Sequence, residues 1–107
     1  VDKISLIYLF FAIIFEITGT TCMKLSEGFT KILPSVAIFV FYGLSFTCLT
    51  ISLKKIDVSI AYSIWSGVGT VLISLIGILW FKESSSMTKL ISIALIVIGV
   101  IGLNAGK

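Results

Sequence analysis

No histidine occurs anywhere in this chain, cysteine appears twice, proline once, and charge is scarce at 12% of 107 residues against 58% hydrophobic. Each scarcity excludes something. Without histidine the commonest general base and metal ligand is missing. Cys22 and Cys48 lie in apolar surroundings, far from any CxxC spacing, which fits small packing residues and not a disulfide or zinc site. The chain has no Gly-rich phosphate loop, nucleophile triad or metal-spaced acidic pair, so no enzymatic activity, metal or cofactor is expected. So little charge in so short a chain also excludes a soluble domain, because a core of this size cannot hide that much apolar surface.

What is there is best read from the spaces between charges. Residues 4–23 hold a single charge, and 32–53, 58–81 and 90–106 hold none. Each run is close to the roughly 20 residues that a helix needs to cross about 30 Å of hydrocarbon. The expectation is one all-α domain, 1–107, crossing a membrane four times. Four strands could not close a barrel, and an open sheet in lipid would leave backbone groups unpaired. The first span lacks a credible cleavage site and is too long for a secretory signal, so it is expected to be retained. The loops between spans are short, which makes neighbouring helices antiparallel. Pro34 lies near the start of span two, where its missing N–H costs least, and Ser84, Ser85 and Ser86 are candidate caps for span four.

Lysine normally marks the cytoplasmic face. Here Lys3, Lys54, Lys55 and Lys107 fall on one face and Lys24, Lys31, Lys82 and Lys89 on the other, so four stand against four and neither orientation is favoured. A chain that inserts both ways can meet its own copy head to tail, as an antiparallel, dual-topology homodimer. The net charge of +3 does not point to nucleic acid. Lysines at the ends of membrane helices anchor in lipid headgroups, and no basic stripe with interleaved aromatics lies outside the spans.

One ionisable side chain lies inside the spans. Glu16 is twelve residues beyond Ile4, about 18 Å along a helix, which puts it near the middle of the bilayer. A charge there costs roughly 3 kcal/mol or more, and such residues face an interior or wet cavity where they handle protons, ions or charged ligands. Helical spacing puts Leu9, Ala12, Ile13, Gly19 and Thr20 beside it, three of them small, fit for lining a cavity or for close helix packing. In span three, Tyr62, Trp65, Ser66 and Gly69 share a face, and Trp65 is too deep for an interfacial belt. A tryptophan near an acid suits a cation held against the ring. Gly67 and Gly69 make that segment either a hinge or a tight helix contact. In span two, Tyr42, Ser45 and Phe46 form a second face of aromatics and a hydroxyl. In span four, Gly99, Gly102 and Gly106 recur at helical spacing and mark an association helix.

Glu16-Ile17-Thr18-Gly19-Thr20-Thr21, Leu25-Ser26-Glu27-Gly28-Phe29-Thr30 and Ala61-Tyr62-Ser63-Ile64-Trp65-Ser66-Gly67-Val68-Gly69 together resemble the small multidrug resistance family of bacterial transporters, over nearly the whole chain. The resemblance implies an antiparallel dimer in the bacterial inner membrane that exchanges protons for lipophilic or quaternary ammonium cations, the basis of antiseptic resistance. It implies that Glu16 binds proton or substrate, that Tyr62 and Trp65 contact the substrate, and that Tyr42 and Ser45 line the cavity, beside Ala12, Ile13, Thr20 and Ser66. Gly67 and Gly69 would serve as the hinge, and Gly99 and Gly102 as dimer interface. A second branch of the family exports guanidinium and typically carries a Trp shortly after the membrane Glu. Gly19-Thr20-Thr21 stands there instead, which resembles the multidrug branch. Ser92 stands where related sequences often have a further Gly. Two other classes are distinguishable: a passive channel would conduct without a proton gradient, and a purely structural bundle would tolerate Gln at position 16.

Overall fold

A computed structural model of the protein describes residues 3–105. The chain forms four helices, α1 (Lys3–Leu25), α2 (Ile32–Ser52), α3 (Val58–Leu79) and α4 (Met87–Ala105). All four are long and apolar enough to cross a membrane. Their ends follow local chemistry more closely than the charge gaps do. Pro34 is the third residue of α2, whose first-turn N–H groups have no helical partner to lose. Helix α4 begins three residues before the charge-free run, because the Ser86 hydroxyl accepts from the Lys89 N–H at 3.2 Å and caps it there. Helix α3 stops at Leu79, two residues short of its charge-free run. Gly106 and Lys107 lie outside the described residues.

The loop between α1 and α2 winds around one buried serine. The Ser26 carbonyl accepts from the N–H groups of Thr30 and Lys31, and its hydroxyl donates to the Met23 carbonyl and accepts from the Phe29 N–H. Three successive residues, Glu27, Gly28 and Phe29, are left-handed to make that turn. The exposed Glu27 carboxylate lies 2.6 Å from Lys31 Nζ. A hydrogen bond from Lys31, aided by its charge, holds that carboxyl below its usual range. The loop between α3 and α4 turns through Lys82, also left-handed at φ 60°.

Helix packing uses two stripes of α1. Ser5, Ala12 and Gly19 are buried at seven-residue spacing, and the buried residues of α2, Ile38, Ser45 and Ser52, have the same spacing. Two seven-residue stripes can track one another along an antiparallel pair. Their contact is closest where the Ser45 hydroxyl donates to the Ala12 carbonyl at 2.6 Å, and where Gly19 lets the Tyr42 ring approach. The second stripe, Leu9, Ile13 and Ile17, packs with Ile56, Ile60 and Ala61. Helix α3 is thereby held between α1 and α4. Gly69 faces Glu16 on one side, and Gly67 meets Val100 on the other.

The outcome is an open layer and not a closed bundle. The molecule measures 43 × 35 × 16 Å, little more than one helix diameter thick along its shortest axis. No residue of α4 is buried, and neither Gly99 nor Gly102 has a neighbour within 4 Å of where a Cβ would stand. Such a surface needs lipid or another protein chain as its solvent. A methyl group on Gly67 would stand 2.5 Å from Val100 Cγ2. Gly67→Ala is expected to destabilise the α3–α4 contact by about 1–3 kcal/mol, the usual cost of overpacking. Val100→Ala in the same chain should restore most of the loss. Unfolding in detergent measures both, and a Gly67→Ala variant as stable as the parent would remove this contact from the account.

Candidate functional site

Glu16 forms the floor of a shallow groove. Helix α1 supplies the acid, α2 one wall and α3 the other, and the residues around the resulting cavity of about 230 Å³ are Glu16, Tyr42, Trp65, Ser66, Gly69, Thr70 and Ile73. Each wall is shaped by what its helix presents. Gly69 has no side chain, and a Cβ there would stand 2.7 Å from Glu16 Oε1, so the carboxyl approaches α3 only because residue 69 is glycine. The Ser66 and Thr70 hydroxyls donate back to their own helix, to the carbonyls of Tyr62 and Ser66. They present acceptor lone pairs to the groove and keep no free proton for it.

The upper walls are aromatic. Tyr42 stacks on Phe46 at 5.9 Å between ring centroids, Phe46 meets Trp65 at 5.9 Å, and Trp65 meets Tyr62 at 5.5 Å. Four rings thus link α2 to α3, and two of them, Tyr42 and Trp65, line the groove beside the carboxyl. Tyr62 sits at the exposed end of this row. Trp65 Nε1 is buried and has no hydrogen-bond partner, an expensive condition for an indole N–H away from water.

Glu16 is tied to its own helix and to α2 through two hydroxyls. Thr20, one turn on, donates to Glu16 Oε2 at 2.6 Å and shares a second, shorter hydrogen bond with the Tyr42 hydroxyl. Thr20 has a single proton, so when it donates to the carboxylate Tyr42 must be the donor in the second bond. When the carboxyl is protonated the chain can reverse. Glu16 then donates to Thr20 and Thr20 to Tyr42, whose own proton has the Met23 sulfur at 3.8 Å as a weak acceptor. The network therefore has a complete set of donors and acceptors in either protonation state.

Of the residues proposed from sequence, Glu16, Thr20, Tyr42, Trp65, Ser66 and Gly69 come together here, with Tyr62 at the rim. Three do not. Ala12 and Ser45 are fully buried against one another and Ile13 lies in the hydrophobic core. In this chain their small or branched side chains fill contacts between helices and do not line the groove. Gly67 points to Val100, away from the acid, and α3 runs unbroken through residues 67–69, so the two glycines admit neighbours in this conformation without bending the helix. Thr70 and Ile73 line the groove, and Phe46 stacks behind it on Tyr42 and Trp65; none of the three is among the residues expected to form the site. Helical spacing could have found them, since each lies four residues from Tyr42, Ser66 and Gly69 respectively.

A comparison with known proteins decides the family. The model for the Small Multidrug Resistance protein family matches residues 4–96. The chain belongs to that family. Its similar relatives include the uncharacterized membrane protein YvaE of Bacillus subtilis, 54% identical over 92% of this chain and 82% of that protein. The multidrug resistance protein EbrB of Bacillus subtilis is 45% identical over 96% of this chain and 88% of its own. The quaternary ammonium compound-resistance protein QacG of a Staphylococcus strain is 43% identical over 92% of each. Membership in the small multidrug resistance family, together with four apolar helices, makes this a multi-pass bacterial membrane protein.

The hydroxyl network gives a direct test. Thr20→Val keeps the shape of the side chain and removes both hydrogen bonds, and is expected to shift the carboxyl carbon resonance of Glu16 at fixed pH, whereas Thr20→Ser should leave it near the parent value. An unchanged resonance in the Val variant would show that Thr20 does not hold the acid.

Proposed function

We propose that this protein is a proton-coupled antiporter that exports hydrophobic and quaternary ammonium cations, with Glu16 as the group for which proton and cation compete. The observation that carries the reading is a carboxyl at mid-membrane depth, on the floor of a groove whose walls are aromatic rings. Relatives named for multidrug and quaternary ammonium resistance support the substrate class. A quaternary ammonium ion has no N–H to donate. It gains from a nearby negative charge and from the faces of rings, most strongly where water is excluded. A guanidinium ion would instead seek a planar set of acceptors. Ser66 and Thr70 offer lone pairs, but the Tyr42 and Trp65 rings, which offer faces and no planar set of acceptors, stand beside Glu16 in the groove. The multidrug reading is therefore preferred to guanidinium export.

The thin, open layer supports a second part of the proposal. One chain leaves its groove uncovered on one side and α4 without burial. Two copies packed antiparallel through α4, at Gly99 and Gly102, would close the space over two Glu16 carboxyls, and the balanced lysines permit both orientations in the membrane. In such a pair the inward-facing and outward-facing arrangements are equivalent by symmetry, so exchange of conformation between the two chains moves access from one side to the other. Gly67 and Gly69 are where α3 would adjust. Proton and cation then alternate on the same acids, and each step of access carries one or the other.

The test is transport by the reconstituted protein in vesicles with an imposed pH gradient. The parent is expected to accumulate benzyltrimethylammonium against its gradient at the expense of the proton gradient. Glu16→Gln, which cannot lose a proton, is expected to lose uphill transport altogether. A Gln variant that still concentrates the cation would refute a shared carboxyl.

A further inference from the structure

A second cavity lies next to the groove, at the end of the molecule formed by loops 26–31 and 80–86. It has a volume of about 270 Å³ and is lined by Thr20, Ser74 and Gly77 on the helices and by Phe81, Glu83 and Lys89 at its mouth, among others. It adjoins the Glu16 groove directly. Ile73 lines both spaces, and Thr20, which borders this cavity, is the residue bonded to Glu16. The cavity thus forms a vestibule beside the carboxyl, at the end of the molecule where the two loops lie.

Loop 80–86 lines one side of the vestibule through Phe81 and Glu83 and is held in a particular way. Lys82 turns left-handed, and the Glu83 N–H then donates to the Gly77 carbonyl at 3.0 Å. The Glu83 side chain folds back onto α3, where its carboxyl carbon lies 2.9 Å from the place a Cβ on Gly77 would occupy, closer than any real Cβ contact. Lys89, from the first turn of α4, holds the loop from the other side. Its Nζ lies 3.7 Å from Glu83 Oε1 and donates to the Ser84 carbonyl at 3.2 Å. Gly77 is thus a seat, Glu83 the group that sits in it, and Lys89 the tie between that group and α4. Nothing in the groove chemistry requires a glycine at position 77 or an acid at position 83.

We infer that Glu83, seated on Gly77 and tied by Lys89, is a latch that closes the vestibule to Glu16 at this end of the molecule. The contact is built to open. The ion pair is long and partly solvent-exposed, so its net strength is small. The latch joins α3 to the start of α4, so a movement of α4 against α3 pulls Lys89 and Glu83 apart and frees the mouth. In an exchange of access the latch would be closed on the sealed side and released on the open one. Lys24 stands beside the same mouth. With the latch closed, Lys24 and Lys89 outnumber Glu83 and the rim is net positive, which disfavours entry of a cation. With it open, Glu83 is separated from Lys89 and presents a free carboxylate to an arriving one. The inference rests on Glu16 being the cation site.

The experiment uses the full chain in detergent, with Cys22 and Cys48 replaced by Ser and a single reporter thiol introduced by Ser74→Cys inside the vestibule. The rate of modification by a charged methanethiosulfonate reads the latch with no cation present. Glu83→Gln and Gly77→Ala are each expected to raise that rate, the latter by about tenfold because the added methyl group evicts the carboxylate. Dissociation of benzyltrimethylammonium should quicken in parallel, while its equilibrium affinity stays within about twofold because the Glu16 groove is untouched. Glu83→Gln alters an exposed loop residue and serves where Gly77→Ala does not fold. Unchanged modification rates in the folded variants would overturn the latch. Faster modification without faster cation dissociation would place the vestibule off the path and overturn it as well. The two readings fail separately, since loss of benzyltrimethylammonium dependence on Glu16 would sink the cation site while leaving the thiol rates as they are.

Discussion

A single carboxyl at the middle of a membrane is the constraint on which the rest of this structure depends. Hydrocarbon offers no partner for it, so the protein must supply hydrogen bonds, space and a route to water. Each is visible around Glu16. Thr20 and Tyr42 supply a chain of hydroxyls that accommodates either protonation state. Gly69 supplies the space on α3. The vestibule beyond Thr20 and Ile73 is the space that the proposed route would use. Had any of these been filled by a larger apolar side chain, the acid would be isolated, at a cost of several kcal/mol for an unpaired buried charge.

The same constraint explains why the helices pack so tightly in one place and so loosely elsewhere. The α1–α2 contact uses matching seven-residue stripes and a buried serine bonded to a backbone carbonyl. In lipid, where apolar surface gains little from leaving its solvent, close approach of this kind is what holds helices together. That rigid pair carries Glu16 and Tyr42. Helix α3 rests on it through the acid, the core stripe and the ring row, while α4 touches chiefly α3. A fixed platform with a more loosely attached pair is what the proposed exchange of access would need.

Much of this was legible in the sequence, for a physical reason. Charges cannot be spread through a bilayer, so the gaps between lysines and acids mark the four helices. The ends were less legible, because helices run past the hydrocarbon into the interface and there obey caps such as Ser86. In the groove, Glu16, Trp65 and Tyr42 stood out because a buried acid and deep aromatics are costly or unusual. Ala12, Ile13 and Ser45 were less readable. In a membrane protein the packed and lipid-facing sides of a helix are equally apolar, so periodicity cannot tell a small residue that lines a space from one whose space another helix fills. Gly77 illustrates the same limit, since its partner is a loop acid six residues on, outside any helical repeat.

The central claim is that proton and cation compete for one carboxyl, and proton release on binding tests it most directly. Titrating purified protein with benzyltrimethylammonium at a series of pH values, in buffers of different ionisation enthalpy, separates the heat of binding from that of proton release. The account predicts that affinity falls by up to about tenfold per pH unit over the range in which protons displace the cation from Glu16, that protons appear in the buffer when the cation binds there, and that Glu16→Gln shows neither effect. Affinity independent of pH, with no protons released by the parent protein, would contradict it.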